Sequence, residues 1–548
     1  MRLLGQVCSV HPVIVAPRSD APARAPPPAS APDARPGRPP GGPARGSGAR
    51  GCPAVGLDWG AMSPTAPAAD PAPVPPVPVL HALTVPLSAL GADPAAAPDL
   101  RDLLAGPELL TWTVDGRGLV AWGRAAEHTV RGADRFTAAR VWWDDLVGAA
   151  VIEDRVGVPG TGLTAFGAFT FATASAVDSG LVVPELLVGR RGDVAWATLV
   201  VAVAPGTPFA LGADDVAAAW LRRIGSAPGR PPAASGPPAA PAVVRLSSGT
   251  LGEHEWTEAV REGVERIRSG RMEKLVLARD VVARTDAPLD AVAVVRDLAR
   301  RYEQCWTYCV GLGGDPAGAG RLMGATPEML VRVLDGVAHA RVLAGTLDRD
   351  AAPPDEDPHE YAARVLGESE KQQHEHGFAI DSLEASLAPY TDAVTTSPDP
   401  FILELPNVWH LASDVTAALR PGPAGDPPSS LELAEALHPT AAVCGTPTAV
   451  AAAAIPELEQ MDRGLYAGPV GWLDAAGNGD WGIALRGAVQ EDERTVRLYA
   501  GCGIVAASDP ESELAETWAK LRPMLQALGQ RAGGAPERLV PAPGLSAG

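Results

Sequence analysis

Aromatic residues are scarce in this chain, at 5% of 548 positions, and positive charge falls well short of negative. With 45 Lys and Arg against 65 Asp and Glu the formal net charge is −20. A surface of that sign repels phosphate backbones and anionic lipid, so nucleic acid and membrane surfaces are excluded as partners on electrostatic grounds. Cysteine is also sparse. The six are Cys8, Cys52, Cys305, Cys309, Cys444 and Cys502, and none shows the paired CxxC spacing of a zinc or redox site. Cys305 and Cys309 lie in an apolar stretch and are expected to be buried thiols. There is no uninterrupted run of 18 apolar residues. The stretch from Val194 to Leu211 comes nearest, and Pro205, Gly206 and Pro208 break it. Gln6, Ser9 and His11 interrupt any signal-like apolar core at the start. A cytoplasmic protein is the expectation, and a monomeric one, since no strong exposed apolar stripe suggests otherwise.

Hydrophobic residues, at 46%, are plentiful enough to bury a sizeable core. They are unevenly distributed. Residues 1–78 are rich in Pro, Ala, Gly and Arg without periodicity, a composition that cannot offset the entropy of ordering, and disorder is predicted there. Met62 offers an alternative start within this tail. Residues 79–225 read as short strands with turns, including Leu119 to Trp122 and Asp193 to Val203, followed by a helix from Ala213 to Ile224. A linker spans 226–244, a better-patterned region 245–529, and a tail 530–548. Within the better-patterned region Trp256, Val260, Val264 and Ile267 mark one face of a helix, and Lys274 to Ala283 reads as a strand.

The last helix, predicted to begin near Ser512, carries the clearest chemistry. Leu514, Trp518, Leu521, Leu525 and Leu528 form its apolar stripe, and Pro523 is expected to kink it. Glu513, Glu516 and Lys520 occupy another, narrow face. Two carboxylates at i, i+3 make half a site for a hard divalent cation, which takes oxygen ligands. The same spacing also suits a solvated face with a simple Glu516–Lys520 pair, worth a few tenths of a kcal/mol. Upstream, Glu375 in KQQHEH could complete a metal site, with His376 structural.

Taken in order, the chain shows MEKLVLAR, GATPEML, VLAGT, KQQHEHGFAID, VWHLASDV, LHPTAAVCGTP, RGLYAGPVGW, ALRGA, YAGCGI and SDPESELAETWAKL. This ordered set, from Trp256 to Leu528, resembles the chorismate-utilising enzymes, which include isochorismate, salicylate, anthranilate and aminodeoxychorismate synthases. The resemblance implies a large α+β fold whose two subdomains, of antiparallel sheet and helices, surround a central cleft. It implies Mg²⁺ held by Glu375 and Glu516, with Glu513 assisting through water, and a substrate carboxylate on the metal. It places Tyr466, Arg486, Lys520 and the backbone around Gly501 and Gly503 at substrate carboxylates, and Gly345, Thr346 and His410 at other substrate-lining positions.

Two positions bear on the reaction. Members of the family that add water carry lysine at the position of Lys274, as general base, and Glu328 of GATPEML matches the acid that protonates the departing C4 hydroxyl. Such an acid needs a raised pKa, which burial would supply. At Ala442, salicylate and anthranilate synthases carry Thr, whereas enzymes that stop at isochorismate match the alanine. Isochorismate synthase, an isomerase, is therefore the expected activity, with salicylate synthase or an inactive chorismate-binding homologue as alternatives. The motif wording is closer to siderophore-type than to menaquinone-type enzymes. One departure is Gln372, where relatives carry an acid. Loss of that outer-shell contact is expected to weaken Mg²⁺ binding, typically by about 10- to 100-fold.

Overall fold

The computed structural model describes residues 78–92, 98–225, 243–313, 319–349, 352–353, 355–397, 399–404, 408–422 and 425–529. The expectations for the two tails and for linker positions 226–242 lie outside these residues, as do the side chains of Thr346, Gln372 and Glu375.

Short runs of buried, largely apolar residues build two large sheets. In the first, the described strands run from Val244–Ser248 through Lys274–Thr285, Thr495–Ile504, Gly487–Gln490, Arg321–Thr326 and Trp306–Gly311 to Leu109–Val114. It continues through strands drawn from the first half of the chain, ending at Val151–Asp154. The second sheet places Thr391–Thr396 and Val408–Leu419 beside Val337–Asp348, Met329–Leu334, Gly479–Ile483 and Pro469–Asp474. Three strands from before residue 184 complete it. Pairing is antiparallel except where Val79–Pro86 meets Val151–Asp154. Both sheets therefore mix early and late sequence: Tyr308 pairs with Trp112 in one, and Trp472 with Phe166 in the other.

The few aromatics are spent on the interior. Trp112, Trp122, Trp196, Trp220, Trp256, Trp409 and Trp481 are all fully buried, where a large side chain contributes most. Cys305 and Cys309 are buried as expected, and burial pushes their thiols up to about 12 and about 11, so both stay protonated and inert.

The helices form near the predicted places with longer ends. Glu253–Arg268 contains the expected apolar face and is bounded by Gly252 and Ser269. Ala213–Ile224 matches the sequence expectation at both ends. Pro510–Ala527 starts two residues early because Asp509 caps it, accepting from the Ser512 N–H at 2.9 Å, and Pro510 fits a first-turn position that needs no donor. Pro523 sits inside that helix. Among the described residues no helix is long and apolar enough to cross a membrane.

Candidate active site

Strand alternation puts Lys274, Val276 and Ala278 on one face of Lys274–Thr285, and all three line a cleft of 290 Å³. Across the ladder Val276 pairs with Gly503 and Ala278 with Gly501. Neither glycine is there for a turn. A Cβ on Gly501 would lie 2.9 Å from the Leu277 carbonyl oxygen and 3.1 Å from Ala278 Cα. A Cβ on Gly503 would lie 3.1 Å from Lys274 Cε and 3.8 Å from its Nζ. The bare backbone at 503 is therefore what lets the Lys274 side chain lie across the cleft floor.

The other predicted side chains converge on the same space. Glu328, Gly345, His410, Ala442, Tyr466, Arg486, Gly501, Gly503, Glu516 and Lys520 all line it. Glu328 follows the end of strand Arg321–Thr326, and its N–H donates to Thr326 Oγ1 at 3.2 Å. It keeps some exposure along the cleft wall, but protein surrounds it otherwise, and this burial pushes its carboxyl above the usual range. Lys274, Lys520 and Arg486 oppose that shift without cancelling it. The sequence expectation that burial would raise Glu328 is thus matched by its surroundings.

His410 donates from Nδ1 to the Gly345 carbonyl at 3.0 Å, and burial lowers its pKa to about 4. It is a neutral imidazole at ordinary pH, with Nδ1 carrying the proton and Nε2 the lone pair. Arg486 adopts a left-handed backbone, φ 50°, and its guanidinium is buried enough to be lowered from its ordinary value. Tyr466 stacks on Tyr499 with ring centroids 5.0 Å apart, and its phenol is raised by burial.

The acidic face of Pro510–Ala527 meets the cleft through Glu516. Lys520 Nζ lies 2.6 Å from Glu516 Oε1 and donates to the Gly501 carbonyl at 2.9 Å, tying helix to strand. The simple ion pair considered from spacing is therefore present. Glu513 lies outside the cleft lining, and burial raises its carboxyl, with the Glu516 charge adding to the shift. Among the described residues no three His, Cys, Asp or Glu side chains stand together as a metal group, and the Glu375 side chain is not among them. Its helix, Glu370–Leu387, is anchored by His376, whose Nε2 pairs with Ser413 Oγ at 2.8 Å. That fits the structural part expected for His376.

Sequence reasoning left Arg463 without a role. It is 3% exposed, lines the cleft, and makes a buried fork to Glu459 at 2.5 and 3.0 Å. It also donates to the Val443 carbonyl at 2.8 Å and the Val276 carbonyl at 2.9 Å. Glu459 in turn accepts from the Ala278 N–H at 2.7 Å. One buried pair thus fixes the strand that carries Lys274 against the loop that carries Ala442. The signal available in sequence was an i, i+4 Glu–Arg pair, which normally marks a surface helix; here the helix ends at Glu459 and Gln460 takes a left-handed turn.

Comparison with known proteins agrees with this geometry. A family profile described as "Chorismate binding enzyme" matches residues 109–529. The isochorismate synthase DhbC of Bacillus subtilis is 38% identical over 278 residues, covering 50% of this chain and 68% of that protein. The salicylate biosynthesis isochorismate synthase of Pseudomonas aeruginosa is 32% identical over 422 residues, 76% of this chain and 84% of the relative. The solved structure of the menaquinone-specific isochorismate synthase MenF from Escherichia coli superposes with a TM-score of 0.61 at 24% identity, over 83% of this chain and 96% of that one, a likeness of fold. With its two mixed-origin sheets, its cleft and its ordered motifs, the chain belongs to the chorismate binding enzyme family.

Proposed function

We propose that this protein is an isochorismate synthase, converting chorismate to isochorismate with Mg²⁺ as cofactor. The observation that carries this reading is a carboxyl, Glu328, raised above the usual carboxylate range by burial and lining the same cleft as Lys274. An acid and a base facing one cavity are what addition of one water and loss of another require. The relatives named isochorismate synthase support the same reaction.

In this reading Lys274 takes a proton from water as that water attacks C2. Both ring double bonds shift, the C4–O bond breaks, and Glu328 gives its proton to the departing hydroxyl, which leaves as water. Arg486 and Lys520 hold substrate carboxylates, Tyr466 orients one of them, and neutral His410 presents a hydrogen-bonding edge rather than a charge. Gly501 and Gly503 let the ring approach the backbone. Ala442 offers only a methyl group beside the enolpyruvyl side chain, so nothing there orients it for elimination of pyruvate.

The residues present fit a divalent cation. Glu513 and Glu516, one turn apart, repel one another, and Lys520 is the cation paired with Glu516. A hard dication would relieve that repulsion and take oxygen donors from Glu516 and Glu375, with Glu513 behind them. When bound, Mg²⁺ supplies positive charge for the ring carboxylate of an anionic substrate that the acidic surface otherwise repels.

Product analysis tests the reading. Purified protein, chorismate and Mg²⁺, with and without chelator, are resolved by liquid chromatography and mass spectrometry. A chelator-sensitive product of chorismate's mass at a new retention time is expected. Salicylate with pyruvate would instead make the protein a salicylate synthase, and absence of any product would make it a binding homologue.

A further inference from the structure

Arg486 stands where the chain passes from one sheet to the other. Gly479–Ile483 belongs to the second sheet and Gly487–Gln490 to the first, so Ala484, Leu485 and Arg486 make the crossing. The first of these is clamped. Its N–H donates to the Gly468 carbonyl at 2.9 Å, and its carbonyl accepts from the Ala467 N–H at 3.0 Å. Leu485 and Arg486 both line the cleft. The left-handed backbone of Arg486, φ 50°, is one that a residue with a side chain keeps only where its surroundings fix it.

What fixes it comes from another strand. The Leu485 carbonyl accepts from the Tyr308 hydroxyl at 2.9 Å, and that carbonyl belongs to the peptide plane from which Arg486 turns. Tyr308, Gly324 and Gly487 form one row across three neighbouring strands. A Cβ on Gly324 would lie 2.6 Å from the phenol's Cζ, and one on Gly487 would lie 3.1 Å from it. Carbon atoms rest at roughly 3.5 to 4.0 Å, so neither would fit. Neither glycine has a positive φ, so neither serves a turn. Together they leave the slot through which the phenol crosses two strands to reach Leu485. Tyr308 is fully buried and is not part of the cleft lining. Burial holds its phenol well above the ordinary value, so the hydroxyl keeps the proton it donates.

We propose that Tyr308 is a positioning residue for substrate recognition: through the Leu485 carbonyl it sets the turn that presents Arg486 to the cleft. The proposal rests on the reading of Arg486 as a group that holds a substrate carboxylate. A guanidinium binds a carboxylate through a planar fork, so its direction matters as well as its charge. Without the hydroxyl the Leu485 carbonyl is left unpaired, its peptide rotates toward another donor, and the fork turns off its target. Because the phenol stands outside the cleft, its loss acts on binding and leaves the reacting atoms alone.

The test uses the full-length protein with Mg²⁺. Tyr308→Phe removes the hydroxyl and keeps the ring. KM and the equilibrium Kd for chorismate are expected to rise about tenfold, the penalty of an unpaired buried acceptor. In the same variant kcat should stay within about twofold of the parent's. Arg486→Lys keeps the charge and discards the fork. Adding Tyr308→Phe to it should weaken binding by less than about twofold further, because no fork is left to aim. Parental KM and Kd in Tyr308→Phe overturn the proposal. So does a tenfold loss in both backgrounds, which is what a purely structural tyrosine gives. If Tyr308→Phe does not fold, a crystal structure of the parent with chorismate decides. The Arg486 fork on a carboxylate, with Leu485 bonded to Tyr308, supports the proposal; a fork turned away from the substrate overturns it. A parent protein that makes no isochorismate defeats the functional reading instead, and the Kd comparison, which needs no turnover, still judges Tyr308.

Discussion

Gly503→Ala offers a sharp test of how Lys274 is held. The added methyl carbon would lie 3.1 Å from Lys274 Cε, whereas carbon atoms rest about 3.5 to 4.0 Å apart. The lysine must therefore retreat by roughly 0.4 to 0.9 Å, carrying its amine with it. It is the flexible end of a side chain, so the fold can absorb the change. Catalysis is less forgiving: a misplacement near 1 Å costs up to about 100-fold, so kcat is expected to fall about 10- to 100-fold. Tm should stay close to the parent's, whereas chorismate affinity should weaken, because the methyl group intrudes where the ring approaches the backbone. Gly501→Ala is the control, because its methyl group would meet the Leu277 carbonyl and Ala278 Cα, which are backbone and cannot step aside. Overpacking of that kind costs about 1–3 kcal/mol, so this variant should lower Tm. Steady-state kinetics, equilibrium chorismate binding and thermal unfolding on the pair measure the split. A Gly503→Ala enzyme with parental kcat and an intact fold would refute the placement of Lys274 as the base.

Other outcomes follow from the same geometry. Lys274→Ala should abolish turnover while equilibrium binding of chorismate persists; measurable turnover would remove it as the base. Glu516→Gln should sharply raise the Mg²⁺ concentration needed for activity, and an unchanged metal titration by calorimetry would defeat it as a ligand. Arg463→Met leaves Glu459 buried without its cation, and about 3–5 kcal/mol of stability should be lost by urea unfolding; a loss below 1 kcal/mol would show the pair to be dispensable. His410 and His438 are both lowered to about 4, so the folded state favours their neutral forms. Their contribution to stability is full above the unfolded pKa near 6.5 and is lost as pH falls from there through 4. Unfolding free energy should drop by up to roughly 2.7 kcal/mol per pH unit across that window, two protons' worth. A flat profile would show that neither ring is held neutral by the fold.

Much of the site was legible because its residues sit in short contiguous motifs. Lys274 was marked by the resemblance that MEKLVLAR carries, and helix periodicity put Glu516 and Lys520 on one face, with their roles again implied by the resemblance. Arg463 was not legible in the same way. Its partners come from Val276, Val443 and Glu459, brought together only when the sheet forms, and an i, i+4 pair carries no mark of burial. Strand existence was readable from short apolar runs between turns, but strand order was not: nothing local in Trp306–Gly311 says that its neighbour is Leu109–Val114.

That pairing has a practical consequence for anyone dissecting the protein. A clone starting near residue 245 would keep every residue assigned to chemistry, yet would strip Trp306–Gly311 and Pro469–Asp474 of neighbours that complete their ladders. Those bared edges expose unpaired backbone groups, and such edges invite aggregation. Expressed as two separate polypeptides, the halves should instead restore each other's sheets on mixing, which makes this chain a natural candidate for a split-enzyme reporter.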